Sequence, residues 1–178
     1  MNIKDILKLG IFLMVVGAVA GIALSLTYVL TAPKIAEQKK IEINDALREI
    51  LPEATEFTEV KKAIEGKEEV FYIGLKEGSQ VGAAFFSYGK GYGGTIEMIV
   101  GINKDGKVSG VKIISQKETP GLGAKANDPK FLDQFKGKSE ADNLKAKQDI
   151  QAITGATITS QGIANGVREA LEKFKTYY

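Results

Sequence analysis

Hydroxyl groups crowd one short stretch of this 178-residue chain: Thr154, Thr157, Thr159 and Ser160 all fall within TGATITS. Directly after it, Ile163, Val167, Leu171 and Phe174 recur at helical spacing, with Arg168, Glu169, Glu172 and Lys173 mostly on the other faces. A helix start near Thr159 needs one side-chain oxygen as its cap, and Thr159 or Ser160 supplies it. The remaining hydroxyls are surplus to that need. The unpaired amides and positive dipole end of a helix favour an anion in the loop just before it, and phosphate fits there. Gly155 and Ala156 keep the space beside Thr157 clear, so a phosphate can reach that hydroxyl or be esterified to it. The plainer reading is a tight turn and a capped helix, which asks for no ligand.

Two further stretches carry unusual composition. GKGYGG, residues 89–94, holds Lys90 and Tyr92 among glycines that let a backbone approach a ligand or a neighbouring segment closely. It lacks the Gly-Lys-Ser/Thr end of a P-loop and does not open a helix, so it is neither that nor a dinucleotide fingerprint. ETPGLG runs from Glu118 through Thr119, Gly121 and Leu122 to Gly123. A proline and two glycines bracket its leucine, and a rigid loop of backbone amides with one apolar side chain suits a flat heteroaromatic ring. An ordinary loop after a strand is the alternative.

What is missing narrows the chemistry. The chain has no cysteine and no histidine, which excludes disulfides, Fe–S clusters, thiolate zinc and the Ser-His-Asp and Cys-His nucleophile systems. A net charge of +2 is near balance, whereas a nucleic-acid protein is expected to carry a concentrated basic face, so nucleic acid is not an expected partner.

The elements that must position these loops begin with a membrane span. From Leu9 to Pro33 there is no Asp, Glu, Lys or Arg, long enough to cross a bilayer, and Leu30 and Pro33 spoil the only cleavage-like site, so an uncleaved anchor is expected. Basic residues on both sides, Lys4 and Lys8 against Lys34, Lys39, Lys40 and Arg48, leave its orientation open. Residues 1–33 are thus read as tail and transmembrane helix, 34–52 as a juxtamembrane stalk helix started at Pro33 and stopped by Pro52, and 53–178 as one domain. Within the domain EVFYIGL, QVGAAFFSY, TIEMIVGIN and VSGVKIISQ read as strands, the last two joined by a hairpin turn at NKDGK. A short helix near DPKFLDQF, a charged linker and a strand, loop and helix around TGATITS follow. The fold class expected is α+β: one N-terminal transmembrane helix, then a mainly antiparallel sheet with flanking helices.

With these segments in view, TGAT resembles the Ser/Thr-Gly-Ala-Thr motif of the FMN-binding domain family. GKGYGG, VGIN before a hairpin, ETPGLGAK, FLDQFKGK and AITGATITS occur in that family's order behind one span, an arrangement most similar to the G subunits of Rnf complexes. The resemblance implies an electron carrier in a membrane-bound ferredoxin:NAD+ oxidoreductase that pumps Na+ or H+. FMN would be joined through its phosphate to Thr157, with Thr154, Gly155 and Ala156 shaping the phosphate loop. Residues from Glu118 through Thr119, Gly121 and Leu122 to Gly123 would border the isoalloxazine ring, with Tyr92 and Lys90 as candidates for ring and phosphate contact. The implied partners are the integral membrane and Fe–S or flavin subunits of the complex, a flavin transferase for maturation, and membrane lipid. The domain is expected on the outer face of the cell membrane. One departure is that the family's aspartate six residues before the acceptor is Gln151 here, with Asp149 two residues earlier. Alternatives in view are the C subunit of Na+-pumping NADH:quinone oxidoreductase, a free-standing extracellular flavin reductase and a flavin-free anchored scaffold.

Overall fold

The computed structural model describes residues 3–64 and 67–177. Its first element is a single helix, α1, Ile3–Ile50, which runs straight through Pro33. Pro33 therefore does not begin a separate stalk helix as the sequence suggested. A proline inside a helix withdraws one hydrogen bond, a loss that transmembrane helices tolerate, and the Thr31 hydroxyl just before it donates to the carbonyl of Thr27 at 2.8 Å. Compact packing divides the chain at Glu42 and Ile43, so the last two turns of α1 belong with the domain and the apolar part stands alone. That apolar part presents its side chains outward on every face, as a segment solvated by hydrocarbon does.

Five strands follow: β1 Glu56–Ile64, β2 Lys67–Lys76, β3 Ser79–Lys90, β4 Thr95–Asn103 and β5 Val108–Ser115. They pair antiparallel in sequence order, a meander with β1 and β5 at its edges. The expected turn between β4 and β5 is present: Asn103 Oδ1 accepts from the amides of Asp105 and Lys107, and Gly106 takes φ +74°. A short helix, α2, Pro129–Leu132, is capped by Asp128, whose carboxylate accepts from the Lys130 amide. The chain closes with α3, Thr157–Tyr177. The strand expected ahead of TGATITS does not form. Residues 151–153 carry no regular structure, and only an isolated bridge joins Ala146 to Ile150.

Alternation along the strands sends side chains to two cores. Ala83 and Phe85 of β3 with Met98 and Val100 of β4 meet Ile163, Val167, Ala170 and Leu171 of α3. Phe85 stacks on Phe71 at 5.1 Å between ring centroids. On the opposite face Ala84 and Ile99 meet Ala46, Leu47, Ile50 and Leu51 at the end of α1. The Ser109 hydroxyl donates to the Ile50 carbonyl at 2.6 Å, satisfying one of the acceptors a helix end leaves open. Lys112 pairs with Glu49 beside it. The sheet is thus held between helices on both faces, and α3 carries the TGATITS loop to one end of it.

Candidate functional site

The close approach of α3 to β3 sets where that loop sits. Gly89 and Gly162 face each other: a Cβ on Gly162 would lie 2.4 Å from the Lys90 carbonyl oxygen, so neither position leaves room for a side chain. Helix α3 starts at Thr157 rather than near Thr159, which puts Thr159 and Ser160 inside its first turn and removes them as caps. Their hydroxyls are used differently. Ser160 donates to the Ala156 carbonyl at 2.9 Å and accepts from the Ile153 amide at 3.0 Å, folding the loop back on the helix. Thr159 donates to Glu118. The Thr157 hydroxyl has no partner among the described residues, and the side chain is half-buried. Nor do the amides of Thr157, Ile158 and Thr159 find a backbone acceptor; the first helical bond is from Ser160 to Ala156.

Two hollows meet at this point, and Gly155 and Thr157 line both. One, of about 430 Å³, is bounded by Tyr92, Glu118, Thr119, Leu122, Gly123 and the loop from Gly155 to Thr159. Its rim is apolar although it faces solvent: Tyr92 is 77% exposed, Ile158 56% and Leu122 47%. With Tyr88 these are the exposed large hydrophobic side chains among the described residues of the domain, so they cluster at one end instead of scattering. The other hollow, of about 700 Å³, is polar and runs along Gln134, residues 147–153, Thr154 and Gly155.

The candidate residues therefore fall into groups. Thr157, Gly155, Ala156, Glu118, Thr119, Leu122, Gly123 and Tyr92 come together around the first cleft. Thr154 lies on the polar side, Gly121 forms a turn at φ +78° without lining either hollow, and Lys90 faces a separate groove with Tyr88 and residues 91–95. Ile158 and Thr159 complete the cleft, and the sequence motifs did not mark them as ligand contacts. Ile158 was open to detection, because it is a large apolar residue off the Ile163, Val167, Leu171 stripe.

Asp149, two residues before Gln151, is engaged with the backbone. Its carboxylate accepts from the amides of Leu144 at 2.6 Å and Lys145 at 2.8 Å. The Lys145 amide first, with that of Leu144, holds this carboxyl below its ordinary range against a smaller effect of desolvation. Since the folded-state pKa is lowered, the stability it contributes is present above the unfolded carboxylate range and is lost as pH falls below about 4. Asp149→Asn is expected to lower the protection of the Leu144 and Lys145 amides from exchange at neutral pH, and to remove the further loss of protection that wild type shows in acid. Gln151 is exposed and clamped through its backbone, its amide donating to Gln134 Oε1 at 2.7 Å.

Comparison with known proteins follows the same outline. A family model for the FMN-binding domain matches residues 91–172, and one for the RnfG N-terminal region matches residues 1–50. The G subunit of the proton-translocating ferredoxin:NAD(+) oxidoreductase complex of Clostridium ljungdahlii is 40% identical over 166 residues, covering 89% of this chain and 86% of that protein. The G subunit of the Na(+)-translocating ferredoxin:NAD(+) oxidoreductase complex of Acetobacterium woodii is 38% identical and covers 97% and 93%. Among solved structures, the C subunit of the Na(+)-translocating NADH-quinone reductase from Parabacteroides distasonis aligns with a TM-score of 0.54 at 22% identity, over 77% of this chain and 84% of that one. Shewanella oneidensis NqrC aligns with a TM-score of 0.51, also at 22% identity, over 70% and 73%. At that identity these two likenesses show the fold alone.

Proposed function

The chain belongs to the family of G subunits of ion-translocating ferredoxin:NAD(+) oxidoreductase complexes, and we propose that it is the membrane-anchored electron carrier of such a complex, with FMN esterified to Thr157. The observation that carries the tether is the sharing-out of hydroxyls. Ser160 and Thr159 are committed to internal hydrogen bonds, and of the two hydroxyls left without a partner among the described residues, Thr154 lines the polar hollow alone while Thr157 lies where both hollows meet.

The residues present suit the group. The amides of Thr157, Ile158 and Thr159 offer donors for a phosphate, and Gly155 at φ +79° gives the loop its tight turn beside them. A Cβ at Gly155 would lie 3.1 Å from Leu122 Cδ2, so a side chain there would crowd the cleft. Leu122, Ile158 and Tyr92 supply apolar surface for a flat ring. Bound FMN supplies the electron chemistry that side chains without cysteine or histidine lack. The chain's own part is to hold phosphate at the start of α3, to offer the ring apolar surface from Leu122 and Ile158, and to anchor the domain at the membrane.

If Leu122 borders the ring, Leu122→Asp leaves the flavin attached but lowers its midpoint potential and alters its visible absorption, because a negative charge there opposes the anionic reduced state. A folded variant with unchanged potential and spectrum would take this loop out of the site.

The apolar helix anchors the domain in a membrane, and we place the domain on the outer face, with other subunits of the complex as redox partners and a flavin transferase for maturation. The full-length chain is expected to stay with membranes through a carbonate wash, and protease added to intact cells is expected to remove the domain. A chain washed free would defeat the anchor, and a protected domain would reverse the orientation. The flavin reading is tested by co-expressing the chain with an active transferase: flavin fluorescence should migrate with the chain in denaturing electrophoresis.

A further inference from the structure

Three motifs that lie far apart in the sequence meet on one carboxylate. Glu118 of ETPGLG is only 6% exposed. Its Oε1 accepts from the Gly93 amide at 2.8 Å, and its Oε2 accepts from the Tyr92 amide at 3.3 Å and from the Thr159 hydroxyl. Gly93 and Tyr92 belong to GKGYGG, and Thr159 lies in the first turn of α3. The glycines around the carboxylate are there to admit it. A Cβ on Gly91 would lie 2.3 Å from Oε1, and one on Gly123 would lie 2.5 Å from Oε2.

No ion pair involves Glu118 among the described residues. A carboxylate buried without a cation loses much of its hydration, and only converging donors offset that loss. Here every donor that answers it comes from a segment lining the cleft. An ordinary structural clamp needs no charge, since a neutral amide or hydroxyl can bridge two loops. A charged one leaves a fixed negative potential in a partly desolvated cleft.

We propose that Glu118 is the positioning residue of this cleft: it locks the Tyr92–Gly93 turn to the first turn of α3 and, as a buried anion, holds down the reduction potential of the flavin. This rests on the reading that the cleft receives FMN. The residue acts through Tyr92, Gly93 and Thr159, whose placement it fixes. Its hold on the Thr159 hydroxyl also withholds that group from a phosphate while the hydroxyl of Thr157 is left free.

The test uses the full-length chain in detergent, comparing wild type with Glu118→Gln and Glu118→Asp. Glutamine keeps the size but presents an amide nitrogen to at least one of the donors, stranding it. Glu118→Gln is expected to raise the flavin midpoint potential by the equivalent of tenfold or more in the reduction equilibrium. In flavin-free protein it is expected to speed hydrogen exchange at the Tyr92 and Gly93 amides at least tenfold, with exchange in the β3–β4 core unchanged. Glu118→Asp, which restores the charge, is expected to return the potential most of the way to wild type. A folded Glu118→Gln variant with the wild-type potential would overturn the electrostatic role. Exchange that rises evenly through the domain, or not at all at Tyr92 and Gly93, would overturn the positioning role. If wild type takes up no flavin under an active transferase, the FMN reading fails by itself. The exchange comparison then still decides whether Glu118 holds the turn.

Discussion

Thr157→Ala is expected to abolish all flavin fluorescence that survives denaturation while leaving the domain folded. Thr157 is the first residue of α3, half-buried, and its hydroxyl holds nothing together among the described residues. Removing this hydroxyl and its γ-methyl from a half-buried helix start costs on the order of 0.5 kcal/mol or less. The melting temperature should therefore barely move while the covalent signal disappears. Thr159→Ala and Thr154→Ala behave differently. The first breaks a buried hydrogen bond to Glu118 yet keeps the acceptor, and the second alters an exposed residue on the polar side of the loop. Both should retain at least part of the adduct. Loss of the signal in all three variants alike would mean that the loop's shape, not one hydroxyl, had been measured.

A second large effect is expected from Gly162→Leu, which touches neither cleft. Any Cβ there would lie 2.4 Å from the Lys90 carbonyl oxygen and 2.8 Å from its carbon, and backbone cannot swing aside as a side-chain tip can. Forcing α3 away from β3 costs roughly 1–3 kcal/mol or more through overpacking. It also displaces the start of α3 from the Tyr92–Gly93 turn. Thermal unfolding of the domain should shift down by several degrees, and flavin attachment should fall with Thr157 intact. Glu172→Ala on the exposed side of the same helix should stay within about 0.5 kcal/mol of wild type. Equal stability for Gly162→Leu and Glu172→Ala would show that the helix and strand do not meet as described.

Local chemistry makes much of this molecule readable from its residues alone. The apolar run from Leu9 to Pro33 is long enough to cross a bilayer, and Asp-Gly in NKDGK between two β-branched runs is a hairpin signal. Four of the five strands followed from their apolar runs. The edge strand β1 did not, because Glu59, Lys61 and Lys62 mask the apolar spacing of Phe57, Val60 and Ile64. Its pairing comes from β2 rather than from its own pattern. The start of α3 was misplaced for a similar reason. The sequence offers several hydroxyls as caps, but Glu118 and Ile153 draw Thr159 and Ser160 into other bonds, and the helix starts at Thr157, ahead of both.

The site shows the same division. Its loops were legible as motifs, since glycine clusters and surplus hydroxyls are local signals. The burial of Glu118 and its hold on two other segments were not, because nothing local to ETPGLG shows which donors reach its carboxylate. Its three donors stand 25 to 41 residues away in sequence. Gln134 is a further instance, holding the backbone of Gln151 from 17 residues away. Contacts of this kind are decided by how α3 lies across the sheet, which no segment encodes alone.

The central claim, that Thr157 carries FMN as a phosphoester, meets its most direct test in the mass of the wild-type chain made with an active flavin transferase. Intact-mass measurement should show one FMN less one water, and fragmentation should place it on the peptide containing Thr157 and on that residue's hydroxyl. An unmodified chain, or an adduct carried by another threonine, would contradict it.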